Sequence, residues 1–431
     1  MQGKQLPQQL KISQRVSVLH NRKSKLFRNA TAMIAVQVVG NLVPLATLPY
    51  LARTLKPEAF GVLSLGVALI SVAHIFTDLG IGLSGAYNVS KHRERTRFVN
   101  SYISSALFCK LCSLFVVVLV FHVMLPFIPY VSENRRFMIF LIFPFILDAM
   151  SPTWIFQGIE KLVILAVLSL AGRLLYLAFI FLFITSPDDI VRMPLIILVG
   201  QAVPVVFGYI VLCRSGISLA KPSRRLVRIT FLNAQNYFYS RLAIASYTSL
   251  GTIFLSTTTA AATLGAFSAA QQVYKALQQI TAASVGALLP YMARERDRPL
   301  LKKIAAVSIV FTIIVSCGVS SFANEVSMIL FGPEFPDAYF YLRLFLLAYV
   351  FDVIAAFTGH ALFATYGIAG RANKTFWFAG GTNLLLLTAL WVSGILSPML
   401  ACFSLLLAEI AGLIYRYILL LRYSKEVHSL K

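Results

Sequence analysis

Residues 99–124 read VNSYISSALFCKLCSLFVVVLVFHVM, and this stretch decides the class of fold. It is long enough to cross a hydrocarbon core about 30 Å thick, which requires about 20 residues of helix. Backbone groups in lipid must find hydrogen-bond partners within their own segment, so the stretch is predicted to be a helix. Similar apolar runs recur along all 431 residues. We therefore expect an all-α integral membrane protein.

The composition of the whole chain excludes a soluble protein. It is 58% hydrophobic and only 13% charged, whereas soluble domains carry about 25% charged residues. No polar stretch exceeds about 30 residues, so no soluble domain fits between the apolar runs. Hydropathy predicts about twelve transmembrane helices, over residues 30–52, 60–83, 99–124, 137–157, 162–184, 190–213, 233–256, 263–292, 303–322, 339–366, 375–395 and 399–421.

Charged residues between the helices predict the orientation of the chain. Residues 1–28 hold seven basic side chains and no acidic one, and cytoplasmic segments of membrane proteins are rich in Lys and Arg. With the N-terminus inside, the cytoplasmic segments hold about 27 basic and 5 acidic residues, against about 5 and 7 in the external loops. We therefore expect both termini in the cytoplasm. Topology then explains most of the net charge of +22 without a nucleic-acid partner.

A weak internal repeat divides the chain into two lobes. Residues 60–64 read FGVLS and residues 264–268 read LGAFS, and each opens the second helix of a six-helix set. Because an even number of helices separates the repeats, they are parallel. We predict a basic cytoplasmic tail (1–28), an N-lobe of helices 1–6 (29–213), a basic cytoplasmic linker (214–232), a C-lobe of helices 7–12 (233–421) and a cytoplasmic C-terminal tail (422–431).

Ionisable residues at membrane depth cost about 2.5–3.5 kcal/mol each on insertion scales, so each needs an explanation. Lys110, Asp148 and Arg173 lie about 16 Å into three consecutive helices of the first half, at a rise of 1.5 Å per residue. One interpretation is an ion pair of Asp148 with Arg173 or Lys110. The base that stays unpaired would then be the functional residue.

In the second half, Arg241 and Lys275 lie at similar depth on the predicted helices 7 and 8, which carry no acid. Two like charges without local partners predict a water-filled cavity and an anionic ligand. The alternative interpretation of the polar residues around them is hydrogen bonding between helices. The same two helices carry Asn233, Gln235, Asn236, Tyr239, Ser240, Gln271, Gln272, Gln278 and Gln279.

The matching helices 1 and 2 of the first half offer Gln37, Asn41 and His74 as further cavity residues. His74 and Asp78 are one helical turn apart and could share a proton or a hydrogen bond.

Four acids are candidates for coupling to H⁺ or Na⁺, because burial of a carboxyl group favours its protonated or ion-bound form. They are Asp78, Asp148, Asp352 and Glu409. For the last two, structural pairing with Arg343 or Arg416 is the alternative. Both of these arginines lie close enough to a helix end to extend their guanidinium groups to the membrane surface.

The sequence carries no motif of an enzyme. Walker, H-E-x-x-H and G-x-S-x-G sequences are absent, and every external loop is shorter than about 20 residues. Cys109 and Cys112 form a C-x-x-C without a second ligand pair, so we interpret them as small apolar residues rather than a metal site. We expect no cofactor apart from a coupling ion.

Several motifs resemble those of the Wzx-type O-antigen flippases, a branch of the multidrug/oligosaccharidyl-lipid/polysaccharide (MOP) exporter superfamily. The most specific is residues 152–161, PTWIFQGIEK; residues 48–53 (LPYLAR), 78–80 (DLG) and 268–270 (SAA) also resemble the family. Together the matches cover about the first 300 residues. One departure stands out: Gln271 and Gln272 follow the SAA segment where many members carry Glu-Lys, which leaves Lys275 as the nearby cation.

The resemblance implies two six-helix lobes around a central cavity lined by helices 1, 2, 7 and 8. It also implies translocation of an undecaprenyl-pyrophosphate-linked oligosaccharide from the cytoplasmic to the periplasmic leaflet of the bacterial inner membrane. A polysaccharide polymerase and a chain-length regulator would be its protein partners. The alternatives are a multidrug antiporter of organic cations on the same scaffold, which should present acids to its cavity, and a membrane-embedded glycosyltransferase, which needs a larger external loop.

Overall fold

The computed structural model describes residue 43 and residues 46–429, and within that part the chain is almost entirely helical. Nine of its helices are long and apolar enough to cross a membrane. In chain order the helices are α1 (Ala46–Asp78), α2 (Ile81–Lys91), α3 (Thr96–Met124), α4 (Val131–Gly158), α5 (Leu162–Phe183), α6 (Pro187–Arg214), α7 (Arg224–Ala245, continued by Ser246–Leu250 and Gly251–Ser256), α8 (Ala261–Glu295), α9 (Arg298–Ser321), α10 (Ala323–Phe331), α11 (Ala338–Thr365), α12 (Ala372–Val392) and α13 (Pro398–Ser429).

The all-α membrane fold is therefore confirmed, while the count of twelve spans stays a prediction. Most of the predicted first helix falls outside the described residues. Helices α7 and α8 are long, but they are not among the nine apolar helices. Their lower hydropathy comes from the amides and cations that the sequence places on them, so they are the helices least suited to face lipid on all sides.

Left-handed backbone conformations interrupt the helices of the first half at two points, and the second of them positions Asp78. Within α1, Lys56 adopts a left-handed backbone (φ 61°) directly before Pro57, and the predicted loop between helices 1 and 2 falls there. The predicted second helix stops earlier than expected, at Asp78, where Leu79 and Gly80 both have positive φ. The Asp78 carboxylate then accepts the backbone N–H of Gly82, so it caps the N-terminus of α2.

The linker between the halves is shorter than predicted, since α7 begins at Arg224 rather than at residue 233. Residues 215–223 run along α3. Asn100 donates to the hydroxyl of Ser218, and the hydroxyls of Ser104 and Ser105 accept the backbone N–H groups of Ala220 and Ser223. These hydrogen bonds tie the start of α7 to α3.

The two glycines of the internal repeat lie against each other's helices. A Cβ added to Gly61 would lie 2.1 Å from the carbonyl oxygen of Ala261, and one added to Gly265 would lie 2.0 Å from that of Pro57. Only glycine permits this approach of α1 and α8. The Tyr130 hydroxyl donates to the carbonyl of Thr259 at the same end of the molecule. The halves are therefore in direct contact at the end predicted to be external.

A second close contact joins the halves further along the interface. A Cβ on Gly80 would lie 2.4 Å from the carbonyl oxygen of Ala234 and 2.8 Å from the nitrogen of Phe238, so the turn after α1 rests directly on α7. The rings of Phe76 and Phe238 pack edge to face beside it. The two halves thus touch on both sides of the polar residues between them.

We predict that Gly265→Ala destabilises the protein, because the new methyl group forces α1 and α8 apart. Overpacking of this kind typically costs about 1–3 kcal/mol. Gly286→Ala on the same helix is the matched control, since no atom lies within 4 Å of its added Cβ, and Ala favours a helix over Gly by up to about 1 kcal/mol. The melting temperature of the purified protein should fall for Gly265→Ala only. Equal melting temperatures would contradict the close contact.

Candidate functional site

A buried carboxylate joins three helices from both halves of the chain. Asp78 Oδ1 lies 2.8 Å from Lys110 Nζ of α3, and its Oδ2 lies 2.8 Å from Arg241 Nη1 of α7. Asp78 and Lys110 are each 3% exposed, whereas Arg241 is 34% exposed. Lys110 also contacts the carbonyl of Ala149 at 3.5 Å. We call Asp78, Lys110 and Arg241 the ion triad.

The ion triad corrects three expectations about pairing. Arg241 is not an uncompensated cation, because an acid from the other half of the chain reaches it. Lys110 pairs with Asp78 rather than with Asp148. His74 Nδ1 in turn lies 3.1 Å from Asp148 Oδ2, so the expected contact between His74 and Asp78 is replaced by one across helices.

Lys275 is the unpaired cation that the sequence predicted on α8. It is half-buried, and within the described residues it makes no hydrogen bond or ion pair. Three residues earlier, Gln272 lines a cavity of about 170 Å³ between the halves, together with Ser64 of α1 and Tyr176 of α5. Lys275 directly precedes Ala276, which lines the same cavity, and it has no counter-ion within the described residues.

Not every predicted cavity residue lies at the interface. Gln271 is 3% exposed and accepts a hydrogen bond from the hydroxyl of Thr252 at 3.1 Å. It joins α7 to α8, as in the alternative interpretation of the amides, and it does not line the cavity that Gln272 lines, so its role as a cavity residue stays a prediction. Tyr239 is exposed and packs edge to face on Trp377 of α12.

The remaining predicted residues are either exposed or undescribed. Arg173 is exposed, and within the described residues it makes no ion pair or hydrogen bond, so the predicted pair of Arg173 with Asp148 is not formed. Gln37 and Asn41 lie outside the described residues, as does the side chain of Asn236.

The second half encloses an acidic cavity of about 460 Å³ between α7, α8, α11, α12 and α13. Asp352 and Glu409 both line it. Gln278 donates to Asp352 at 3.0 Å and to the Tyr274 hydroxyl at 2.9 Å. Glu409 is 8% exposed and makes no hydrogen bond or ion pair with any described residue. Two acids thus share one cavity, which Arg416 and His360 also line.

Arg416 faces the same cavity, so the expectation that it reaches the membrane surface is wrong. It is 3% exposed and donates to the carbonyl of Ala355 and, at about 3.0 Å, to the hydroxyl of Thr375. The carbonyl is free because a π-helical turn follows it in α11, where Gly359 leaves helical geometry. Arg343, in contrast, is exposed as expected and donates to the carbonyl of Ser320.

The sequence could not have revealed two of these features. Nothing in a hydropathy profile connects Asp78 with Arg241, which are 163 positions apart. The π turn at Phe357–Ala361 also lacks a sequence signal apart from Gly359. In the described residues there is no group of three His, Cys, Asp or Glu side chains that could hold a metal ion.

Solved structures with the same fold are membrane transporters. The lipid II flippase MurJ in an inward closed conformation aligns with a TM-score of 0.71 and 11% identity, covering 93% of this chain and 90% of that chain. A MATE transporter of Vibrio cholerae aligns with a TM-score of 0.56 and 14% identity, covering 94% and 97%. The chain therefore shares the fold of these transporters.

Comparison of sequences identifies the family. The family described as "Polysaccharide biosynthesis protein" matches residues 26–296, and the chain belongs to it. A protein of Escherichia coli (strain K12) named "Putative O-antigen transporter" is 24% identical over 380 residues, which are 86% of this chain and 91% of that protein. A protein of the same name from Shigella dysenteriae is 23% identical over 334 residues, covering 74% and 82%. The resemblance to O-antigen flippases is thereby confirmed.

We predict that Asp78→Asn strongly lowers stability, since it leaves Lys110 buried without its counter-ion. Breaking a buried pair by removing one partner costs about 3–5 kcal/mol. The double variant Asp78→Asn/Lys110→Met should recover part of the loss. Glu334→Gln is the control, because its pair with Lys56 is about half exposed and surface pairs contribute at most about 1 kcal/mol. If the melting temperature shifts equally in Asp78→Asn and in the control, the ion triad does not contribute the predicted stability.

Proposed function

We propose that the protein is a flippase for undecaprenyl-pyrophosphate-linked oligosaccharide. It carries the surface-polysaccharide repeat unit from the cytoplasmic to the periplasmic leaflet of the bacterial inner membrane. Membership of the polysaccharide biosynthesis family and the lipid-flippase fold support the coarser statement that it transports a lipid-linked polysaccharide precursor. The observation that carries the finer proposal is Lys275, a cation without a described partner that directly precedes the cavity-lining Ala276.

The charges at the interface fit an anionic ligand. Lys275 is an ammonium group without a described partner, and Arg241 uses one Nη for Asp78 while its side chain stays about one-third exposed. A diphosphate would supply the counter-ion that Lys275 lacks and could bind the remaining guanidinium donors bidentately. An exporter of organic cations would need the opposite charge here.

The rest of the ligand places fewer demands on the protein. Sugar hydroxyls need amides and aromatic hydroxyls, which Gln272, Tyr239 and Asn236 supply on α7 and α8. Gln37, Asn41 and His74 would serve the same purpose on the first two predicted helices. The prenyl chain stays in the hydrocarbon of the membrane, where its transfer into water is avoided.

Transport would proceed by alternating access, with the basic side of the molecule in the cytoplasm. The halves touch at Gly61 and Gly265 on one side and at Gly80 and Ala234 on the other. Opening each contact in turn would expose the interface to one leaflet at a time. The ion pair of Arg241 with Asp78 crosses the interface, so opening that side must break it. A polysaccharide polymerase and a chain-length regulator are the proposed protein partners.

We predict that Lys275→Met abolishes most transport while leaving the melting temperature unchanged or higher, because the lysine has no described partner to lose. Loss of one hydrogen bond to a charged group should weaken substrate binding about tenfold or more. Lys275→Arg should keep part of the activity. The exposed neighbour Gln279, changed to Ala, is the control. The measurement is surface polysaccharide restored in a flippase-deletion strain at equal expression. Full restoration by Lys275→Met would refute the proposed anion site.

We also propose that the acidic cavity couples transport to a cation gradient of H⁺ or Na⁺. Of the four candidate acids, Asp352 and Glu409 fit this role better than Asp78 and Asp148. The latter two form ion pairs with Lys110 and His74, whereas Arg416, which shares the cavity with Asp352 and Glu409, donates to Ala355 and Thr375 instead. Asp352, which accepts from the Gln278 amide, and Glu409, which makes no hydrogen bond or ion pair with a described residue, would bind or release the ion.

We predict that Glu409→Gln removes the dependence of transport on an ion gradient. Coupling free energies between sites correspond to about 5- to 150-fold in affinity, so gradient-driven transport in vesicles should slow within that range. Glu325→Gln, at an exposed position of α10, is the matched control. A Glu409→Gln protein that still responds to an imposed gradient would show that this cavity does not couple.

A further inference from the structure

An apolar groove of about 870 Å³ lies between α3 and α7, outside the site described above. From α3 it is lined by Phe108, Cys109, Cys112, Ser113 and Val116, from α7 by Arg224, Val227, Arg228 and Phe231, and at its ends by Leu79 and Pro222. Along α3 the lining runs from Phe108 to Val116, which are eight helical steps or about 12 Å apart. That is close to the depth of one leaflet, half of a hydrocarbon core about 30 Å thick.

The groove is open to a lipid-like surface. Phe108 is 47% exposed and Val116 56%. On the adjoining strip of α3, Leu111 and Phe115 are 52% and 71% exposed. Exposed apolar side chains in a membrane helix face hydrocarbon, so a chain from the bilayer can enter the groove without crossing water.

One end of the groove is cationic. Arg224 and Arg228 are both exposed, and neither makes a hydrogen bond or ion pair with any described residue. Among the residues that the structure describes, no acid lines the groove. The arginines are four residues apart, so their side chains start about 5–6 Å from each other on one helix face. They lie in the basic segment that the charge distribution assigns to the cytoplasmic side.

We propose that this groove is a docking site for the polyprenyl diphosphate carrier in the cytoplasmic leaflet. The prenyl chain lies along α3, and the two phosphoryl groups bind Arg224 and Arg228. A diphosphate offers a separate phosphoryl group to each guanidinium, so both arginines can bind bidentately, whereas the headgroup phosphate of an ordinary phospholipid has a single negative charge for the two arginines to share. The inference rests on the proposed function, because it assigns a waiting position to the same substrate.

The position of the groove suits a step that precedes translocation. Two residues that line the groove are chain neighbours of the ion triad: Leu79 directly follows Asp78, and Cys109 directly precedes Lys110. The linker hydrogen bonds to Ser104 and Ser105 fix Pro222 and Arg224 at the end of the groove. The docked diphosphate would therefore lie at the seam where α3 and α7, one helix from each half, meet.

Cys112 reports occupancy of the groove. It is exposed, as are Cys213 and Cys317, whereas Cys109 and Cys402 are buried. In a Cys213→Ser/Cys317→Ser background, the rate of maleimide labelling of full-length protein in detergent measures access to Cys112. Undecaprenyl diphosphate at about ten times its Kd should slow labelling about tenfold, since only the unliganded fraction reacts. Undecaprenol, phosphatidylglycerol and inorganic diphosphate at the same concentration should leave the rate within about twofold.

The double variant Arg224→Gln/Arg228→Gln should lose this protection. Arg225→Gln is the matched control, because Arg225 is exposed on the same helix but does not line the groove. Equal protection by phosphatidylglycerol, or protection that survives the double substitution, would overturn the proposal. In Lys275→Met, undecaprenyl diphosphate should still slow the labelling of Cys112. If that variant also transports normally, the proposed translocation site at Lys275 is refuted while the groove is supported.

Discussion

The arrangement of the interface depends on the carboxylate of Asp78, which two cations from different helices share. A buried carboxylate is expensive to remove from water, and the attraction of its partners offsets this only when the geometry is good. Here Lys110 and Arg241 each approach an oxygen to 2.8 Å, and the backbone of Gly82 adds a third donor. The end of α1, the turn into α2 and the positions of α3 and α7 are all set by this one group.

The two ion pairs of the triad differ in burial and in the half of the chain that supplies the cation, and this difference suits an interface that opens. Lys110 is as deeply buried as Asp78 and lies in the same half of the chain, so their pair belongs to one rigid unit. Arg241 belongs to the other half and keeps one-third of its side chain exposed. In the proposed mechanism an anionic substrate competes with Asp78 for Arg241. Because Lys110 stays with Asp78, the carboxylate is never left without a counter-ion when the halves separate.

Hydropathy was sufficient to predict the all-α membrane fold, because each membrane-spanning segment satisfies its own backbone and is therefore encoded locally. It did not predict the short helices α2 and α10. Hydropathy also identified the residues that need an explanation, such as Lys275 and Glu409. Pairing could not be predicted, since Asp78 meets Arg241 only through the packing of distant helices. Arg416 was predicted wrongly for a related reason. Its distance from the helix end allowed it to reach the surface, but a π turn in α11 offered a carbonyl inside the protein.

Helix α8 connects the two polar regions of the second half. Lys275 has no described partner and directly precedes Ala276 of the cavity between the halves, and one turn further Gln278 donates to Asp352 in the acidic cavity. A cation bound between Asp352 and Glu409 would compete with that amide and change the contacts of α8. The cation site and the anion site would then be coupled through a single helix, and each ligand would alter the affinity for the other by the same factor. This reciprocity requires no contact between the ligands, because both act on the position of α8 relative to α1 at the glycine contact of Gly61 and Gly265.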